Sequence, residues 1–508
     1  MDATLNGNKI SIDIAGGKIS ETECDTVVIG VAEQEKLSGE LKSLDDSLRG
    51  ELSKAMKENR FSGEWKHVFS LSTLGNIKPK HVIFIGLGKE KELTAEKLRR
   101  ASAVTSRSAR AHKAKTIATN LQSRLADRTE TSAAAIEGTL LGLYRFTKHK
   151  TVGKEKEHSV ESLILIEPDK NKLAECKKGV ERGIILAESI NYVRDISNAP
   201  SGMMYPAKLA DEADKLAKEL GLKITVFDEK KLASNGMNAI LAVGNGSEKK
   251  PRFVAIEYNP SAKEKLAIVG KGITFDSGGL DIKPREYMLD MKSDKAGAAT
   301  VLGIMRAAAK LKLPVGIIGA LAIAENMPSG SSYRPGDIIT AYNKKTMEII
   351  DTDAEGRVVL SDAVSYVEKN YKPAAIIDLA TLTGACFVAL GSEFAGLMGN
   401  DAKLMEKIKD ASAKSAERVW ELPLIDEYKE KVKSEVADVR NLGKGKQSEA
   451  GAITGAAFIG AFIESTPWVH LDIAGTAFLS DSKDYAPQGG TGWGVRLLVQ
   501  LLSDWKKR

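Results

Sequence analysis

The chain has 508 residues, 28% of them charged and 43% hydrophobic, which describes a folded globular protein and excludes a disordered one. A net charge of +6 is small for this length, and acids are interspersed among the lysines, so composition makes no case for nucleic acid or a membrane surface. Cys24, Cys176 and Cys386 are far apart and odd in number, which suits a reducing compartment better than a disulfide framework or a CxxC metal site. The opening MDATLNGNKISIDIAGG has no apolar leader core and no later run approaches a membrane span, so a cytoplasmic location is expected.

In chain order, short apolar strands at 26–31, 81–87, 116–120 and 162–167 alternate with helical patterns at 94–112 and 132–146. That alternation is the βαβ signature of a mostly parallel sheet. The polar stretch 147–159 reads as an exposed loop, and a helix from about 170 to 193 bridges to the second half. Strands are expected there at 223–227, 239–243, 253–258, 266–269, 315–322, 375–379 and 468–473, with a helix at 296–311. No solenoid period is present. The expected organisation is therefore α/β with two domains: a smaller N-terminal α/β domain (1–169), a linker helix (170–190) and a larger α/β domain (191–508) with a mixed central sheet flanked by helices.

Glycines concentrate in the second half, where they mark turns or a backbone pressed against a ligand. Several chemistries are disfavoured there. There is no HExxH pair, no Cys/His cluster, no GxSxG elbow and no nucleotide-binding glycine loop, and His470 is the one histidine near a motif. Carboxylates and lysines must carry any chemistry. In Asp351-Thr352-Asp353-Ala354-Glu355-Gly356-Arg357, charges fall at every second position, so an extended backbone would place Asp351, Asp353, Glu355 and Arg357 on one face. Acids so placed repel unless a cation or solvent sits among them. After it, Val359, Leu360, Ala363, Val364 and Val367 recur at helix spacing, so the motif joins a strand end to a helix.

A second dense stretch, 269–294, reads VGKGITFDSGGLDIKPREYMLDMKSD. Its strand is expected to end at Val269, leaving Lys271 and Asp276 on a glycine-broken loop, with Lys283, Asp290 and Asp294 beyond. Singly, each such Asp reads as a turn or cap residue and each Lys as solvated. Two acid-dense segments at strand ends change that weighing. Asp276, Asp294, Asp353 and Glu355 offer enough oxygens for two divalent ions, and ions ~3.5–4 Å apart can bridge and activate one water. Lys283 and Arg357 would serve beside them as electrophiles or anion holders. Spacing leaves the substrate open.

These motifs, with LATLTGAC (379–386) and HLDIAGTA (470–477), closely resemble the leucyl aminopeptidases, or cytosol aminopeptidases, from about Asn191 to the end; over the first ~165 residues the resemblance is mainly architectural. It implies that Lys271, Asp276, Asp294, Asp353 and Glu355 hold two divalent ions (Mn²⁺ or Zn²⁺, with Mg²⁺ as an alternative), Asp276 and Glu355 spanning both. It gives catalytic roles to Lys283 and Arg357, the latter holding a bicarbonate general base, and a pocket for the first side chain to Met291, Thr381, Gly384 and Ala474. The implied reaction releases an N-terminal residue, leucine-like by preference, from peptides with a free α-amine through a hydroxide bridging the two ions. A homohexamer is implied as well. Ordinary core packing is nearly as good a reading for any one pocket residue.

Two positions depart from the family pattern: Asp351 stands where Asn is usual and Lys295 where an apolar residue is usual. Asp351 would add charge beside the ions or pair with a lysine, and Lys295 would point into solvent. Rival readings are a dinuclear phosphoesterase, which would recruit histidines, a pseudoenzyme, which would lack a ligand, and a DNA-binding protein. The last draws on the acid-free run Arg99 to Lys115, which reads more simply as a solvated helix face.

Overall fold

The structure, a computed structural model, describes residues 1–152, 159–445 and 449–505. Of the loop expected at 147–159, residues 153–158 lie outside the described residues. The chain divides into two compact units, Met1–Asn191 with Ser482–Pro487, and Tyr192–Asp481 with Gln488–Arg508. The helix Leu173–Asn198 carries the boundary between them.

The first unit holds strands β1 (Asp2–Leu5), β2 (Asn8–Gly16), β3 (Thr26–Val31), β4 (Val68–Ser72), β5 (His81–Gly86), β6 (Thr116–Thr119) and β7 (Ser162–Glu167) in the order β1-β2-β7-β6-β3-β5-β4. The inner pairings are parallel, and β1 and β4 close the two edges antiparallel. β3 reads TVVIGV, buried throughout, as a strand covered on both faces must be. Two helices cover the sheet with side-chain caps: Thr94 accepts from the Lys97 N–H ahead of Ala95–Ala111, and Asp127 accepts from the Glu130 N–H ahead of Arg128–Leu143.

The basic run on the first of these helices is not a solvated face. Arg99 is buried and paired with Glu96 and, at 2.9 Å, with Glu137 of the neighbouring helix; Arg100 pairs with Glu96 at 2.8 Å, and Arg110 donates to the Leu143 carbonyl. Sequence distance hid these acids: one lies a turn earlier and the other on a different helix.

The strands of the second unit are β8 (Lys223–Phe227), β9 (Arg252–Tyr258), β10 (Lys265–Asp276), β11 (Gly316–Asn326), β12 (Ile338–Thr340), β13 (Thr346–Glu348), β14 (Ala375–Ala380), β15 (Ala395–Gly399), β16 (Val419–Glu421), β17 (Val439–Arg440) and β18 (Trp468–Asp472), besides a two-residue pair, Phe478–Leu479 with Gly489–Gly490. The main sheet runs β16-β15-β18-β14-β10-β11-β9-β8, and β12-β13-β17 form a small one. The centre, β18-β14-β10-β11, is parallel, and antiparallel strands flank it, so the sheet is mixed. Segment 239–243 is not a strand but part of the helix Asn238–Gly244. A short apolar run does not declare its period; burial of Ala239, Ile240, Val243 and Gly244 is the helical one.

β10 also runs past its expected end at Val269 to Asp276, so Lys271 and Asp276 stand on the strand rather than on a loop. Gly270 is required there for contact. A Cβ on it would lie 2.6 Å from the carbonyl of Gly297, so its absence lets the helix Ala296–Leu311 settle on the sheet. On the opposite face, Val358, Val359, Leu360, Val364 and Val367 of the helix Glu355–Tyr371 are wholly buried against Ala267, Val269 and Ile273. Each stabilises the unit by about 1.5–3 kcal/mol.

From β10 the chain leaves through the first of these helices to β11 on one side, then returns through the second to β14 on the other. The carboxyl ends of β10 and β14 therefore flank the point where the strand order reverses, which is where open α/β sheets form a crevice.

Candidate metal centre

Four segments deliver acids and lysines to that crevice. β10 supplies Lys271 and, at its end, Asp276. The 3-10 turn Met291–Lys295 supplies Asp294 immediately before the helix Ala296–Leu311. Asp353 lies in the turn before the helix Glu355–Tyr371, of which Glu355 is the first residue. Lys283 follows the turn after β10, where its N–H donates to the Ser277 carbonyl. Two helix N-termini thus face a cluster of carboxylates, the end of the macrodipole that favours negative charge.

The shared-face geometry expected of the 351–357 motif is not found. Asp351 to Ala354 form a turn and Glu355 to Arg357 lie in the first helical turn, where side chains two apart point in different directions. Asp351 Oδ1 accepts the Asp353 N–H at 2.7 Å, so its carboxylate caps the turn instead of pairing with a lysine. Two of the motif's acids still converge, joined by one from β10: one oxygen each from Asp276, Asp353 and Glu355 lies within 4.8 Å of the others.

Two ammonium groups sit inside this cluster. Lys271 Nζ lies 2.8 Å from Asp294 Oδ1, 2.8 Å from Glu355 Oε1 and 2.8 Å from the Thr381 carbonyl. Lys283 Nζ is 2.8 Å from Asp276 Oδ2 and also meets Asp353. Burial works to lower both lysine pKa values, but the surrounding carboxylates outweigh it and hold them above the usual range. The acids respond in the opposite sense. Burial, then the charge of Asp276, pushes Asp353 up to about 6 and Glu355 up to about 8, and burial also raises Asp294. Asp276, Asp294, Asp353 and Glu355 outnumber the two ammoniums, so the site retains protons unless further positive charge enters it.

The donor set fits divalent cations. Asp294 Oδ2 and Glu355 Oε2 are buried without a hydrogen-bond partner, an arrangement costly for a carboxylate unless a cation completes it. Residues that spacing did not single out hold the acids in place. Asn326, at the end of β11, donates through Nδ2 to Asp276 Oδ1 (2.9 Å) and to the Thr352 carbonyl (3.0 Å). Thr352, fully buried, donates through Oγ1 to the Gly278 carbonyl and accepts the Asp281 N–H, tying the turn after Asp276 to the turn bearing Asp353. The available signal was their position, at a strand end and between two acids.

Arg357 is buried and donates through Nη1 to the Asn441 carbonyl at 2.9 Å; burial lowers its pKa, and its Nε has no partner. Asn441 in turn accepts the N–H groups of Ile350 and Asp351.

Of the expected pocket residues, Thr381 joins the cluster directly, donating through Oγ1 to Asp294 Oδ1 at 2.6 Å. Met291 lies on the 3-10 turn with Asp294, Gly384 begins the helix Gly384–Leu390, and the Ala474 N–H donates to Asp472. Asp290 is outside the cluster, its carbonyl accepting from Ser293. His470 is wholly buried with Nδ1 2.6 Å from Asp378 Oδ1, so it is engaged in the core. Lys295 does not point into solvent. It is wholly buried, with Nζ donating to the Ala199 and Lys292 carbonyls.

Against known proteins, residues 191–499 match the model of the cytosol aminopeptidase family, catalytic domain, and residues 28–152 that of its N-terminal domain. A probable cytosol aminopeptidase of Roseiflexus castenholzii is 42% identical over 499 residues, covering 97% of this chain and 99% of the relative. One from Aquifex aeolicus is 44% identical over 472 residues, covering 91% and 93%. Among solved structures, a mutant of tomato leucine aminopeptidase superposes with a TM-score of 0.87 at 31% identity, over 99% of this chain and 98% of that one. The bottromycin maturation enzyme BotP in complex with Mn gives 0.83 at 31% identity, over 94% and 99%.

Proposed function

The chain belongs to the cytosol aminopeptidase family of hydrolases, and from that premise we propose that it releases N-terminal residues, leucine-like by preference, from peptides with a free α-amine, using two divalent ions. The observation that carries this reading is the meeting of Asp276, Asp353 and Glu355 with buried, unpaired oxygens on Asp294 and Glu355. Lys271, Asp276, Asp294, Asp353 and Glu355 would hold the ions. When bound, the ions supply Lewis acidity and a water activated for attack near neutral pH. Carboxylate-rich sites with one nitrogen donor suit Mn²⁺ or Zn²⁺. The BotP complex holds Mn.

The chain's own groups have separable roles in this reading. Lys271 would serve as a neutral amine donor to an ion, whose charge would then compensate Asp294 and Glu355 as its own ammonium otherwise does. Lys283, paired with the other two acids, Asp276 and Asp353, donates to the substrate carbonyl oxygen and takes up charge as it becomes an oxyanion. Arg357, held through Nη1 and with Nε unpaired, suits an anion such as the bicarbonate base. Met291, Thr381, Gly384 and Ala474 line the pocket for the first side chain, whose apolar character favours leucine.

A homohexamer and a cytoplasmic location are part of the same reading. Supporting the first, Ile282, Tyr287 and Leu289 are exposed apolar side chains close in sequence to Lys283, the kind of surface that association covers. Supporting the second, the three cysteines form no disulfide.

The test is hydrolysis of leucine-p-nitroanilide by protein stripped with chelator and resupplied with Mn²⁺ or Zn²⁺, beside Asp353→Ala and an N-acetylated leucine substrate. Expected is metal-restored cleavage of the free-amine substrate alone, lost in the variant. A folded protein inactive with every metal would refute the proposal.

A further inference from the structure

We propose that Asp472 is a positioning residue that joins the two chain segments carrying the pocket for the first side chain, and thereby sets which side chain is preferred; which side chains enter rests on the aminopeptidase reading above. One segment follows β14 and bears Thr381 and Gly384. The other follows β18 and bears Ala474. About 90 residues separate them in sequence, yet both converge on one carboxylate. Asp472 Oδ1 accepts the N–H of Leu382 at 3.2 Å and the N–H of Ala474 at 3.1 Å, while Oδ2 accepts the Thr383 hydroxyl at 2.7 Å. The side chain is wholly buried, and these donors, together with the charge of the nearby Arg357, offset its desolvation.

The joint extends into the helix Gly384–Leu390. Thr383 is its cap, and Oγ1 accepts the Cys386 N–H at 3.0 Å while its own proton goes to Asp472. At the other end of the same helix, a Cβ on Gly475 would fall 2.0 Å from the Gly391 carbonyl oxygen. The two segments are therefore in register at both ends. Thr381, one residue before the joint, has its carbonyl on Lys271 and its hydroxyl on Asp294. A turn released from Asp472 can shift Gly384 and Ala474 while Thr381 stays held by the acid cluster. None of Asp472's side-chain partners is one of the five proposed ligands, so the pocket should change while the ions stay.

Asp472→Asn preserves the shape but offers an amide where Thr383 donates; Thr383→Val removes that hydroxyl, and Thr383→Ser restores it. The measurement is the ratio of kcat/KM for leucine- over alanine-p-nitroanilide, with Mn²⁺ stoichiometry and amide hydrogen exchange at 381–386 and 472–476 taken on the same samples. Expected in Asp472→Asn and Thr383→Val is a fall in the ratio of about tenfold, on the scale at which one apolar pocket discriminates. Exchange should quicken in both segments together, with two ions still bound, and Thr383→Ser should keep the wild-type values. A ratio unchanged within about twofold, or quickened exchange in one segment alone, overturns the proposal. If the wild-type protein cleaves neither substrate, the aminopeptidase reading fails, and exchange still decides whether Asp472 joins the segments.

Discussion

Lys295 is wholly buried one residue from Asp294, and its amine meets the carbonyls of Ala199 and Lys292. Burial, with the Lys292 charge second, lowers its pKa to about 7, so near neutrality the amine is partly uncharged and serves as a donor between two backbone segments. Replacing it with Met conserves volume and removes a desolvated amine, but leaves two partly buried carbonyls without this donor. The second effect should win, at about 1–2 kcal/mol. Lys295→Met is expected to lower the urea midpoint while binding two Mn²⁺ by calorimetric titration. Loss of one ion would instead place Lys295 in the metal site.

At the scale of elements, the crevice depends on how closely the helix Ala296–Leu311 sits on β10. The Gly270 contact with Gly297 fixes that distance, and Asp294 is carried on the turn that leads into the helix. Gly270→Ala places a methyl group against backbone that cannot rotate away, so it should destabilise by about 1–3 kcal/mol or more. Because the helix must move outward, Mn²⁺ affinity should fall with stability. A variant with weakened stability and wild-type affinity would mean that the helix position does not set Asp294.

Across the whole molecule, the unbalanced carboxylates make stability depend on pH and on metal together. Asp353 and Glu355 have folded-state pKa values raised from 3.8 to about 6 and from 4.5 to about 8. Between the unfolded and folded values the native chain holds more protons than the unfolded one, so stability falls as pH rises through that window. The raised values of Lys271 and Lys283 act only at higher pH, where that stabilisation would be lost. The metal-stripped protein should therefore show a lower Tm at pH 8 than at pH 5.5, and Mn²⁺ should raise Tm more at pH 8. A metal-free Tm that rises across this interval would contradict the charge arrangement described.

The sequence by itself determined the two-unit α/β class and most of the strands, because β3, β7, β8 and the helix Ala296–Leu311 carry their period locally. It also marked the acids and lysines that the fold brings together, because each stands in a dense motif. What it misplaced was local geometry decided by distant partners. Val269 looked like a strand end because the following glycines resemble a break, yet they are accommodation for a helix that arrives later in the chain. Ala239–Val243 looked like a strand because a short run does not reveal whether one face or all faces will be buried. Lys295 and Arg99 looked solvated because the groups that satisfy them lie elsewhere, on Ala199 and on Glu137. Asp472, Thr352 and Asn326 were passed over for the same reason. Hydrogen bonds that cross tens of residues leave no period and no spacing, so the tertiary structure alone decides them.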